Sequence, residues 1–162
     1  MAAPDGMVRY SDLEVSALAD PAAREWLKVR GLPREHLLFG ALEHIEPLVS
    51  ASGATRLRLG EVGEHDDLVV DTATGEVIDI SADDGREWHV NDSVGQFAVA
   101  LATFTAANPF YPFGADLDVR EAAADRLRTE ILRTDPTALH EDPGFWNSIL
   151  FDVAAGDYSD ED

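Results

Sequence analysis

The chain has 162 residues, 45% of them hydrophobic, and sets 32 acidic residues against 12 basic ones for a formal net charge of -20. A surface of that sign repels phosphate backbones and anionic lipid headgroups, which argues against direct binding to nucleic acid or to membranes. With no cysteine, disulfides, thiolate metal sites, iron–sulfur clusters and cysteine nucleophiles are excluded together.

At this length folding removes roughly 70% of the chain surface from water. One domain over residues 1–158 is therefore expected, followed by a mobile acidic tail at 159–162 (Ser159-Asp160-Glu161-Asp162). Met1 to Gly6 has neither a basic region nor a continuous apolar stretch, and no window approaches the roughly 18 apolar residues of a membrane span. A cytoplasmic protein is expected.

Residues 1–19 carry no sustained period. Behind an Asp20 cap, Pro21, Ala22, Ala23, Trp26, Leu27 and Arg30 have helical spacing, and Gly31 ends the segment. Leu37, Leu38, Phe39 and Leu42 add apolar residues to a connection whose conformation the pattern leaves open. From Thr55 to Leu59 arginines alternate with apolar positions, the period of a half-buried strand. Leu68-Val69-Val70 and Val77-Ile78-Asp79-Ile80 are β-rich runs joined by the turn cluster Asp71-Thr72-Ala73-Thr74-Gly75, which reads as a hairpin. After the polar turn Ala82–Gly85, Arg86 to Val90 supplies another strand, and an antiparallel meander is the simplest assembly.

Ser93-Val94-Gly95-Gln96 fits a capping box. The helix it starts would place Val94, Phe97, Ala98, Leu101, Phe104 and Thr105 on one face against the sheet. Asn108-Pro109 ends it, and Phe110, Tyr111 and Phe113 form an aromatic loop expected to plug the core. Asp118 to Thr134 reads as a second long helix with Val119, Ala123, Leu127 and Ile131 on its stripe, stopped by Asp135-Pro136. A last amphipathic segment from Asp142-Pro143 turns Trp146, Ile149, Leu150 and Val153 inward and ends before Gly156. The fold class is α+β: a small antiparallel meander packed against several helices.

None of this displays a reaction centre. His36, His44, His65, His89 and His140 form no ligand motif, and His65-Asp66-Asp67 reads as a solvated acidic turn, so no metal and no cofactor are expected. The adjacent pairs Asp66, Asp67 and Asp83, Asp84 sit where turns favour aspartate. Gly-x-Ser-x-Gly is absent, and Asp71 to Gly75 has no phosphate cradle beside it. Trp26, Trp88 and Trp146 lie on apolar stripes and are assigned to core packing. What remains is charge: from Glu61 to Asp92 there are eleven acidic residues against Arg86 alone. Either this is a solvated face or it is an electrostatic docking face, for which Glu61, Glu64, Asp66, Asp67, Asp83, Asp84 and Glu87 are the candidate partner-binding residues.

The sequence Asp-x-x-Thr-Gly-x-Val from Asp71 to Val77, followed by apolar-Asn-x-Ser-apolar-x-x-Phe from Val90 to Phe97, resembles the SUKH superfamily of bacterial immunity proteins, in particular its fourth branch. Trp26-Leu27 and Gly31-Leu32-Pro33 match a preface seen in that branch. The resemblance covers roughly residues 20–107. It implies a SUKH-like α+β immunity protein that binds a cognate toxin domain, often a nuclease or nucleic-acid deaminase of a polymorphic toxin system, in the cytoplasm of the producing cell; that the protein is not an enzyme is expected from the absence of a reaction centre in its motifs. An acidic protein facing a basic toxin surface agrees with that implication. The other readings are a scaffold or regulatory protein-binding domain of the same fold and, further off, an enzyme whose site the sequence does not display.

Overall fold

The computed structural model describes residues 5–160. Residues 1–4 and the Glu161-Asp162 end of the expected tail lie outside the described residues.

The N-terminal region is more ordered than its lack of period suggests. A short strand β1 (Met7–Val8) pairs antiparallel with β2 (Leu32–Pro33), and between them lie the single-turn helix α1 (Asp12–Val15) and helix α2 (Pro21–Glu25). Ser11 and Glu14 form a reciprocal capping box on α1. Asp20 caps α2 through the Ala22 amide, and a π-helical turn, Trp26–Arg30, carries the chain to Gly31.

The main sheet is a five-stranded antiparallel meander in chain order, from β3 (Phe39–Val49) through β4 (Thr55–Val62), β5 (Asp66–Asp71) and β6 (Val77–Ile80) to β7 (Glu87–Asn91). The expected hairpin is β5–β6. Asp71 accepts from the Ala73 and Thr74 amides at 2.9 Å, and Gly75 takes φ 79°, which a Cβ would strain. The segment left open in the sequence is β3, an edge strand that pairs along β4 with an irregularity between Ala41 and Glu46. Gly60 lets it seat: a Cβ there would meet the Gly40 carbonyl oxygen at 2.2 Å and the Phe39 ring at 2.5 Å.

One face of the sheet carries Leu57, Leu68, Val70, Val77 and Val90 into a contiguous buried cluster with helices α3 (Val94–Ala107) and α5 (Phe145–Ala155). Helix α4 (Leu117–Thr134) packs on α3 and α5 as an outer layer. Phe97 stands at the centre, its ring edge-on to Phe39 at 5.4 Å and 6.5 Å from Trp146. Several expected contacts differ. Ala100 is buried on α3 while Thr105 is exposed; on α4, Val119 is exposed and Ala124 takes its place. Of the aromatic loop only Tyr111 is buried, and Phe113 is 72% exposed. The capping box at Ser93 is half formed: Ser93 accepts from the Gln96 amide, but the glutamine side chain bonds Ser93 Oγ and the Thr134 carbonyl rather than reaching back to the Ser93 amide. Ser159 and Asp160, expected in a mobile tail, are tied to the Tyr111 segment, with Asp160 donating to the Tyr111 carbonyl and accepting from the Phe113 amide.

The core contains one polar knot. Asp135, which the sequence marks only as a helix stop, is fully buried and accepts from the Asn91 side chain, the Asp92 amide and both the amide and hydroxyl of Thr137. Asn91 accepts in turn from the Trp146 indole at 2.9 Å. Burial alone would raise the Asp135 carboxyl, but these donors outweigh it and hold it below its ordinary value.

Two substitutions separate packing from capping. Phe97→Ala empties core volume and should cost about 3 to 5 kcal/mol, whereas Ser93→Ala removes one cap bond and should cost about 1 kcal/mol. Equal shifts in a denaturant titration would contradict the central position of Phe97.

Candidate partner-binding site

The β4–β5 turn and the β6–β7 turn lie at the same end of the sheet, because Val62 pairs with Asp66 and Ile80 with both Asp67 and Glu87. The Ala82 amide donates to Asp66 Oδ1 at 3.0 Å and joins the two turns directly. Antiparallel pairing thus gathers all seven candidate acids, Glu61, Glu64, Asp66, Asp67, Asp83, Asp84 and Glu87, around this end.

They do not form one uniform face. Strand alternation sends Glu61, Asp67 and Glu87 to the side of the sheet away from the helices, where arginines outside the acid-rich window meet them. Arg58 bonds Asp67 at 2.5 Å, Glu61 at 2.8 Å and Glu46 at 3.2 Å. Burial would lower the Arg58 guanidinium, yet these carboxylates leave it above its ordinary value. Arg56 donates a hydrogen bond to Glu87 at 2.7 Å and forms an ion pair with Asp71 at 2.9 Å that lacks hydrogen-bond alignment. The Arg56–Glu87 pair links β4 to β7 on the outer face of the sheet, where Val69 of β5 and Ile78 of β6 are buried although they lie outside the helix-covered core. The arginines expected to face water are therefore structural straps. Glu64, Asp83 and Asp84 stay exposed on the turns and make no ion pair among the described residues. Asp84 caps the Arg86 amide, which holds its carboxyl below the usual range.

The helix-facing side of the same end holds a feature the sequence reading did not single out. Asp79 follows Val77 by two residues, pairs with Leu68 and Trp88, and so points toward the helices with the core residues. That phase relation was the available signal: a carboxylate in step with an inward valine. With Asp66 and Trp88 it lines a groove of about 460 Å³ closed on the far side by Phe145, Ile149 and Asp152 of α5 and by Tyr158. Asp79 is only 8% exposed, and its Oδ1 has no hydrogen-bond partner among the described residues. Burial, the like charge of Asp66, a carboxyl–carboxyl hydrogen bond to Asp66 and then the charge of Asp67 push the Asp79 carboxyl up to about 7. Ser148 also lines the groove, but no histidine stands beside it there.

Two of the histidines are fastened into the fold. His36 accepts from the Leu38 amide through Nδ1 and bonds Thr105 and the Leu101 carbonyl through Nε2, fastening the start of β3 to α3. His89 bridges Glu76 and Thr137. Trp146 is fully buried, whereas Trp26 and Trp88 are partly exposed and carry Arg30 and Arg86 over their rings at 5.0 and 4.4 Å. Among the described residues no group of His, Asp and Glu is placed to hold a metal ion, and no helix is long and apolar enough to cross a membrane.

Replacing Asp79 by Asn gives a signed pH test. The carboxyl is harder to ionise in the fold than in the unfolded chain, so its contribution is intact below the unfolded value of 3.8 and is lost as pH rises through about 7. Asp79→Asn should therefore be more stable than the parent at pH 8, with the gain growing between about pH 4 and pH 7 and vanishing below. A gain independent of pH in urea titrations would contradict burial of the charge as its source.

The family model of the SUKH-4 immunity proteins matches residues 1–152. No curated protein and no solved structure matches the chain. The match spans the whole meander, both acidic turns and the α5 wall of the groove as far as Asp152, and by that coverage the chain belongs to the SUKH-4 immunity protein family.

Proposed function

We propose that the protein neutralises a cognate toxin domain by binding it, without chemistry of its own, and that the acidic end of the sheet is the docking surface. The observation that carries this reading is the convergence of the β4–β5 and β6–β7 turns, which sets Glu64, Asp83 and Asp84 beside Asp66 while Arg56 and Arg58 are spent on the outer strand acids. Uncompensated like charge concentrated at one end costs stability through self-repulsion and attracts a basic partner over long range. A toxin that processes nucleic acid, such as a nuclease or deaminase of a polymorphic toxin system, presents a basic surface, and an acidic protein competes for it directly. Family membership supports the immunity role; the charge distribution supports the place and sign of the contact. The cytoplasm of the producing cell is where such a toxin must be blocked.

The variant Glu64→Gln, Asp83→Asn, Asp84→Asn removes exposed charge without unpairing either arginine. Folding should survive. Stopped-flow association with a cognate toxin domain, once one is identified by co-purification, should slow by roughly tenfold or more at low ionic strength, and its salt dependence should flatten, because exposed charges act through steering. Unchanged rates and salt slope would overturn the acidic end as the docking surface.

A further inference from the structure

We infer that the groove between the acidic end of the sheet and α5 is a receptor for the guanidinium group of an arginine inserted by the toxin, a refinement that rests on the docking proposed above. The starting point is an imbalance among the buried acids. Asp71 is met by Arg56 and the turn amides, and Asp135 by Asn91, Asp92 and Thr137. Asp79 is 8% exposed, yet its Oδ1 meets no donor or cation among the described residues; the group beside it is the carboxyl of Asp66, an acceptor like itself when ionised. A buried polar atom without a partner costs the fold its full desolvation penalty, and such exceptions mark places where something else completes the site.

The lining defines what completes it. Asp79 and Asp66 stand side by side on the sheet, and Asp152 of α5 lines the same groove. The groove is lined by no arginine, lysine or histidine, and Arg86, stacked over the Trp88 ring at 4.4 Å, pairs with none of its carboxylates among the described residues, which leaves them open to a cation from a partner. Trp88, Phe145 and Tyr158 supply aromatic surface around the carboxylates. A planar guanidinium suits this combination better than an ammonium: it is more weakly hydrated, it lies flat on aromatic rings, and its fork of donors engages adjacent carboxylates together. At about 460 Å³ the space admits one long side chain rather than a helix. The groove opens beside the turns that carry Glu64 and Asp83, so rim charges would steer the basic surface and the groove would hold it.

The rim and the groove predict different kinetic signatures. Asp79→Asn removes the buried charge while keeping side-chain shape, and it should raise the dissociation rate of the toxin complex by about tenfold or more while leaving the association rate nearly unchanged. The direct probe is N-acetyl-argininamide, titrated into the protein and followed by NMR at the Trp88 indole. Saturable shifts are expected at Trp88 and Ile149, weaker binding by the lysine analogue, and none by the neutral citrulline analogue or in Asp79→Asn. An unchanged dissociation rate, or equal shifts from citrullinamide or lysinamide, would overturn the groove as an arginine receptor. If those results appear while the Glu64, Asp83, Asp84 amide variant still slows association, the docking reading stands without it. If argininamide binds the groove and Asp79→Asn speeds dissociation while the amide variant associates normally, the groove stands and the rim does not.

Discussion

One buried carboxylate ties the end of α4 to the end of β7 and, through Asn91, to α5. Asp135 sits where α4 ends, and by accepting from Asn91 and Asp92 it fixes the end of β7 immediately before α3 begins at Val94. Through Asn91 the same network reaches the Trp146 indole on α5. A charge taken out of water in this way is tolerable only because its oxygens are saturated with donors, and removing any donor would leave the carboxylate undercompensated. The knot therefore specifies a unique arrangement: sliding any one of the helices would leave polar groups unsatisfied that an all-apolar seam would not. The groove depends on it too, since α5 forms its far wall.

Legibility in the sequence follows the range of the forces involved. The β5–β6 hairpin, the β7 strand and the start of α3 were readable because Asp71, Gly75 and Ser93 act on neighbours within a few residues. The α1 cap was equally local, yet Ser11 and Glu14 precede a helix of a single turn with no apolar run behind it, which leaves periodicity nothing to detect. Strand β3 escaped because its pairing is irregular between Ala41 and Glu46, so the inside–outside alternation is lost partway along. Val119 and Phe113 have the right chemistry for the core but fall beyond the reach of its packing, and only the tertiary arrangement decides that.

The candidate site was legible as a list of acids and illegible as a surface. Counting charges from Glu61 to Asp92 omits Arg56 and Arg58, which lie a few residues upstream in sequence but next door in the sheet. They engage Glu61, Asp67, Asp71 and Glu87 and leave the turn carboxylates Glu64, Asp83 and Asp84 in solvent. Asp79, whose placement is the most unusual of the set, was hidden inside the same count, since charge alone does not tell which face of a strand a residue occupies.

Arg56 also bears on a problem that hydrophobic patterning leaves unsolved. A slip of β7 against β6 by two residues would return every side chain to its proper face, so burial alone discriminates poorly against it. Such a slip would carry Glu87 about 6.6 Å along the strand, beyond the reach of a guanidinium already anchored on Asp71. The diagonal ion pair thus works as a vernier on the meander, accepting one alignment of its outermost hairpin among several that the core would tolerate.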